Sequence, residues 1–465
     1  MLPAADRGRY CRLCLSLGDA SMQETLSSAS VFRLISLILG LAVPATTAAA
    51  QAGAPDSTLT LGVVYRELAE SSPRLAAADA LVRAAEARVA PARRPPDPRL
   101  QLGLMNRTLP GFGLADPLGM TEVQVMQMVP FPGKLSLAGE VASEQARAQQ
   151  ARASDLAWDI RARAAMAFYE LYEMDQSLAV ARRTLRLLQD LGETARTMYA
   201  VGEGRQADVL RAQVEIARME EEITRMEVER VSAAAMLNGL LARGGGAPVS
   251  SPLLPAFPDT LPALDILIAE AEARRPMVAA GEAEVRAAAA ALRLARREIW
   301  PDLEVGVRYG QRPMDTGGTD RMLSLMFGVN LPIFANSRQF AMRREAEAMR
   351  LMAVADLEAM RAETRGRVAQ LFAAVQRSKQ LAKLYRTTIL PQSETTVASA
   401  LAAYRVGSVD FMTLLDNQMT VNRYRQELYR LDAEQGQAIA ELEMLIGREL
   451  LNPDSASPDT GATTR

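Results

Sequence analysis

Tyr199-Ala200-Val201-Gly202, followed by Leu210 and Gln213, returns later in the chain as Tyr404-Arg405-Val406-Gly407, followed by Leu415 and Gln418. The matched positions differ by a constant 205 (404 − 199 and 418 − 213). Upstream, Pro73 with Val82-Arg83-Ala84-Ala85 returns as Pro276 with Val285-Arg286-Ala287-Ala288, and Pro98-Arg99-Leu100 as Pro301-Asp302-Leu303, at a spacing of 203 (276 − 73). Pro130-Phe131-Pro132 is echoed by Pro332-Ile333-Phe334. Matched spacing over so long a span means one structural unit used twice. Two long copies are too few for a solenoid and point to a body with internal pseudo-symmetry.

Outward from the two Tyr-x-x-Gly segments, each half reads in the same order. An alanine-rich helix is predicted over residues 61–89 and again over 264–297, ended by Pro91 and Pro301. Two short alternating segments follow: 100–105 and 121–129 in the first half, 303–309 and 323–331 in the second. Gly- and Pro-rich loops are expected between them, at 110–119 and 311–320. The alternation is weaker in the first half, where Gln124 and Gln127 blur the two faces. Long helices are then predicted over 134–198 and 338–404, the second interrupted at Pro391 by a kink or short break. At each repeated glycine the chain turns back, through 208–241 and 410–446. Helices this long persist only when packed side by side along their length. The domain organisation is an export signal region over 1–50, a first repeat over 51–243, a linker over 244–262, a second repeat over 263–450, and a disordered tail over 451–465.

Composition agrees with a mainly helical protein of 465 residues, rich in Ala, Arg, Glu, Leu and Met and only 5% aromatic. Residues 31–43 form an apolar run with Arg33 near its start and small residues after it, the pattern of a secretory signal, with Met22 a plausible alternative start. Cys11 and Cys14 lie upstream of that run and are expected to be removed with it; no other cysteine follows to carry a lipid. Histidine is absent, which removes the commonest general base and metal ligand, and no phosphate-binding loop or nucleophile elbow takes its place. No catalytic residue, cofactor, metal site or nucleic-acid surface is assigned.

Alternating strands suit either a small soluble sheet or an outer-membrane barrel, whose strands put apolar residues toward lipid and polar ones toward the lumen. The export signal favours the barrel. A barrel must close, because an open edge in lipid leaves backbone groups unpaired, and four strands cannot close around a lumen. Several copies are therefore needed; three would supply twelve strands, although the sequence does not choose three over two or four.

These features together resemble the TolC family of outer-membrane efflux proteins. The resemblance covers roughly residues 59–450 and rests on the duplicated helix-strand-strand-helix-helix order, the Tyr-x-x-Gly turns, and the Pro-rich strand exits. It implies a homotrimer: a 12-stranded β-barrel in the cell outer membrane, continued across the periplasm by an α-barrel of antiparallel helical hairpins. It implies a channel that is the exit duct of a tripartite pump, partnered by a periplasmic adaptor protein and an inner-membrane pump, exporting metal ions or small molecules. Gly202 and Gly407, with Val201 and Val406, match the hairpin tips that meet the adaptor. Asp416 matches an acidic position lining the closed end of the pore; the family's second acid is replaced by Thr413, and Asp410 partly compensates. Asp208 is expected to bond Tyr404 or Arg405 of the neighbouring hairpin and hold the pore shut.

Met105, Met120, Met126 and Met128 cluster in the first strand pair. Thioethers bind soft cations such as monovalent copper or silver, but methionine more often just fills apolar surface. Val129-Pro130-Phe131-Pro132-Gly133-Lys134 resembles the heavy-metal branch of the family. Two rival readings share parts of the pattern: the outer-membrane component of a type I secretion system, and a periplasmic coiled-coil adaptor, which has no need of membrane-compatible strands. An exported carboxylate enzyme is remote.

Overall fold

The structure, a computed structural model, describes residues 58–106, 119–314, 317–452 and 454. The export-signal region with Cys11, Cys14 and Met22, most of the expected loop at 110–119, and the tail from 455 onward lie outside the described residues. Elements run in chain order as α1 (Leu61–Ser71), α2 (Pro73–Ala87), α3 (Val89–Ala92), β1 (Arg99–Met105), β2 (Met120–Val129), α4 (Lys134–Ala200), α5 (Gln206–Leu240), α6 (Leu264–Arg274), α7 (Pro276–Arg297), β3 (Leu303–Pro313), β4 (Thr319–Val329), α8 (Gln339–Leu384), α9 (Leu390–Arg405) and α10 (Phe411–Ile446). The two halves thus repeat one order of elements, as the sequence spacing requires.

Proline sets several boundaries differently from expectation. Each expected alanine-rich helix is split, because Ser72 and Arg275 are extended (ψ 113 and 120) and Pro73 and Pro276 begin a new helix. A proline at the first helical position forfeits nothing, since its missing N–H would be an orphan there. Pro91 sits inside the short α3 rather than ending a helix. At Pro391 the expected interruption takes the form of a π-turn, Tyr385–Ile389, which separates α8 from α9 and leaves the proline in the first turn of α9. There Arg386 reaches both oxygens of Asp432 on α10 at 2.6 Å, which pins the turn.

The helices pack along their length with small residues at the contacts. In α4, a helix of 67 residues and so about 100 Å long, Ala164, Ala165, Ala167, Phe168 and Tyr169 are buried. Gly436 of α10 lies under the Tyr169 ring, where a Cβ would fall 2.3 Å from a ring carbon. Residues 244–262 are not a loose linker. Leu253 N–H donates to Leu59 O at 2.8 Å, Leu59 N–H to Ser251 O at 3.1 Å, and Val249 and Leu254 are buried in the same core as Phe168. The tail also begins later than expected. Leu451 is buried, and the buried Glu443 carboxylate accepts from Leu450 N–H at 2.6 Å and Leu451 N–H at 2.8 Å.

The four strands form one antiparallel sheet in the order β1-β2-β3-β4. The β3–β4 hairpin is longer than expected, pairing out to Pro313↔Thr319, so the strands take up both ends of the loop expected at 311–320. Leu100, Leu102, Val123, Val125, Leu303, Val305, Val307, Leu323, Leu325, Phe327 and Val329 stand exposed on one face. The other face carries Gln101, Glu122, Gln124, Glu304, Arg308 and Ser324, since neighbours along a strand point to opposite sides. Gln124 therefore belongs to the polar face, where its Oε1 accepts from Arg308 Nε and Nη2 at 3.0 and 2.9 Å. Gln127 falls on the apolar face at the end near the helices, and bonds Pro96 O at 2.7 Å. Among the described residues no helix is long and apolar enough to cross a membrane.

A latch joins sheet to helices. Lys134, buried at the start of α4, donates to Asp302 Oδ1 at 2.8 Å and to Trp300 O at 2.9 Å, and lies 3.3 Å from Glu298. Asp302 also accepts from Phe131 N–H at 2.8 Å, and the Phe131 ring stacks on Trp300 at 5.2 Å. One cation thus holds the exit of β2 against the start of β3.

Candidate functional site

The two repeated glycines stand at the tips of the α4–α5 and α9–α10 hairpins. Gly202 has φ 79 and Gly407 φ 68, and a Cβ at either would meet nothing within 4 Å. Backbone conformation alone asks for glycine here, with no packing reason. The two turns close in the same way: Gly202 N–H bonds Tyr199 O at 3.1 Å, and Gly407 N–H bonds Tyr404 O at 3.0 Å. Val201 and Val406, beside them, are 65% and 78% exposed. The exposed valines form an apolar tip that nothing among the described residues covers.

Behind the tips, four helices converge on one core: Leu188, Leu191 and Ala195 of α4, Ala212 and Met219 of α5, Ala400 and Tyr404 of α9, and Phe411, Leu414 and Leu415 of α10. At its end a cleft of about 420 Å³ opens between the hairpins, lined by Arg205, Asp208, Arg211, Tyr404, Asp410 and Phe411 among others. Three of the four expected gate residues therefore meet in one place. Tyr404 is buried, its ring 5.6 Å from Phe411, and its hydroxyl has no hydrogen-bond partner. Burial, and secondarily the nearby Asp208 carboxylate, push the Tyr404 phenol above its ordinary range. Asp208 is thus a close neighbour of Tyr404 within one chain, without the hydrogen bond that was expected.

Asp410 caps α10, its Oδ1 accepting from Thr413 N–H at 3.0 Å and from the Thr413 hydroxyl. The Thr413 hydroxyl first, then its backbone N–H, hold the Asp410 carboxyl below the usual range, with Arg205 of the other tip adding to this. The fourth expected residue, Asp416, lies further along α10, exposed and without an ion pair among the described residues. It does not line the cleft. In the sequence Arg211 stands out only as the first-half counterpart of Asp416, and Arg205 does not stand out at all; its one signal is position, just beyond the first glycine turn.

Among the described residues no three His, Cys, Asp or Glu side chains are grouped as a metal would need. The strand-pair methionines all lie on the polar face of the sheet (Met105 paired with Met120, Met126 with Gly306, Met128 with Glu304).

Comparison with known proteins follows the same lines. The cobalt-zinc-cadmium resistance protein CzcC of Cupriavidus metallidurans is 24% identical over 398 residues, 84% of this chain and 90% of that protein. The pyoverdine export outer membrane protein OpmQ of Pseudomonas putida is 29% identical over 188 residues, 38% of this chain and 37% of that protein. Among solved structures, the outer-membrane channel OprN superposes with a TM-score of 0.73 at 20% identity, over 83% of this chain and 89% of that one. The profile of the family described as outer membrane efflux protein matches residues 64–243 and 267–448, one match to each half. The chain belongs to the outer membrane efflux protein family.

Proposed function

We propose that this outer-membrane channel, the exit duct of a tripartite efflux pump, is held shut at the cleft between its two hairpin tips and exports metal ions. The observation that carries the reading is the two-faced sheet joined to hairpins of about 100 Å. Strands β2, β3 and β4, of 10 to 11 residues, are membrane-spanning in length, and the sheet is apolar toward lipid and polar inside. Both outer strands, β1 and β4, have an unpaired edge, and three copies joined edge to edge leave none. The helices then continue the tube through the periplasm toward an adaptor and an inner-membrane transporter. No chemistry is performed; the transporter supplies the energy and the duct supplies an aqueous path.

In a trimer Asp416, exposed and without an ion pair among the described residues, forms a ring of three carboxylates favouring cations. Tyr404 lies beside Asp208 and Asp410 is drawn toward Arg205, in a cleft that Arg211 also lines, so these contacts hold one hairpin against the other and opening means separating them. Val201, Gly202, Val406 and Gly407 are the surface offered to the adaptor. Similarity to a cobalt-zinc-cadmium resistance protein along most of the chain supports metal ions as cargo. The match to a pyoverdine exporter, though shorter, supports a second reading, export of a small organic molecule. Single-channel recording of Asp416→Ala tests the ring: cation preference should fall relative to the unaltered channel, and unchanged selectivity removes Asp416 from the pore.

A further inference from the structure

The methionines of the sheet share a face, and it is the wrong one for filling apolar surface. Met105, Met120, Met126, Met322 and Met326 all alternate with the lipid-facing residues, so they stand among Gln124, Glu122 and Arg308. They are also grouped by glycines. Gly306 is registered with Met126 on one side and Met326 on the other, and a Cβ there would lie 3.1 Å from Met126 Cγ and 3.7 Å from Met326 Cβ. Gly310 is registered with Met322, and the Met120 thioether lies over it, its Sδ 3.0 Å from where a Cβ would be. Met120 is in turn directly opposite Met105. Gly310 is therefore a gap over which the Met120 thioether leans, and Gly306 a gap flanked by the Met126 and Met326 side chains.

We propose that these two groups, Met105–Met120–Met322 over Gly310 and Met126–Met326 over Gly306, are successive stations for a soft monovalent cation, silver(I) or copper(I), on the barrel wall. Thioether sulfur is a soft, uncharged ligand that selects such ions over zinc or magnesium. Conduction favours weak sites in series over one tight site, because an ion must leave each as readily as it enters. Neutral sulfurs on a flexible side chain meet that need, and the two glycines leave open space between the methionine side chains that flank them. The inference rests on the duct reading in one respect: this face is a lumen only if the barrel closes.

The test is silver bound per chain, measured by equilibrium dialysis of the detergent-solubilised full chain against silver nitrate in chloride-free buffer. Met120→Leu with Met126→Leu conserves volume and removes one sulfur from each station; it should weaken silver binding at least tenfold. Gly310→Ala removes no sulfur but displaces the Met120 thioether, and should weaken the first station alone. Met349→Leu with Met352→Leu, on the exposed face of α8, should leave binding unchanged. Equal loss in the α8 variant, no loss in the barrel variants, or no silver bound by the unaltered chain overturns the proposal. Channel conductance is recorded on the same preparations: a conducting protein that binds no silver sinks the stations and spares the duct, whereas one that binds silver at these methionines yet forms no channel even when Tyr404→Ala loosens the tips sinks the duct.

Discussion

At the scale of single residues, the tips combine backbone demand with side-chain chemistry. Gly407→Ala forces a Cβ into a left-handed turn at φ 68, costing about 1 kcal/mol; because nothing lies near that Cβ, the loss should be no larger. Hydrogen exchange at the α9–α10 turn measures it. Tyr404 separates ring from hydroxyl. Since the buried hydroxyl bonds nothing, Tyr404→Phe should leave the hairpin contact intact, while Tyr404→Ala deletes the ring from the Phe411 contact and should cost about 3 kcal/mol. In single-channel recordings the alanine variant should open more often and the phenylalanine variant should not. Asp410 makes the cap pH-dependent. Its folded pKa lies below the unfolded value near 3.8, so the stabilisation is complete above that value and is lost as pH falls through the lower, folded pKa. Thermal unfolding followed from pH 5 down to pH 2 should therefore show an acid-sensitive component that Asp410→Asn, which still caps but does not titrate, lacks.

At the scale of elements, the latch and the π-turn carry the joints. Lys134→Met removes the cation that Asp302 and Glu298 share and leaves a largely buried carboxylate facing an apolar chain; a loss of about 3 kcal/mol is expected, read as lower heat resistance of the assembled barrel. Gly436→Ala sets a methyl into the Tyr169 ring and should destabilise the α4–α10 contact by about 2 kcal/mol, seen in thermal unfolding. The same joints mark what was legible in the sequence. The hairpins and strands were visible because glycine, proline and two-residue alternation act locally, and the 205-residue repeat fixed their order. The strap at 249–254 was invisible, because Gly244 to Gly246 read as a flexible linker while Leu254 and Val249 find their core only in three dimensions. Gln124 was misleading for a similar reason: its face is decided by Arg308, almost two hundred residues away in sequence. Of the proposed gate, Asp208, Tyr404 and Asp410 could be placed by their distance from the glycines and Arg211 as the counterpart of Asp416, whereas Arg205 acquires meaning only when the second tip is brought beside the first.

At the scale of the whole molecule, duplication gives each chain two strand pairs and two hairpins, so three chains make a near-sixfold tube whose halves differ where the gate is placed. Leu415-Asp416 in one half stands where Leu210-Arg211 stands in the other, and Pro391 has no proline counterpart. A barrel requires that the two faces of the sheet meet two different media. That is tested by single cysteines at neighbouring positions of β4, in a chain whose only native cysteines, Cys11 and Cys14, have been replaced by serine. With the protein in outer membranes, a water-soluble maleimide should label Ser324→Cys through the lumen and spare Leu325→Cys and Phe327→Cys, which face lipid. Equal labelling at all three positions would mean a sheet in water on both sides, and would contradict the barrel and the duct with it.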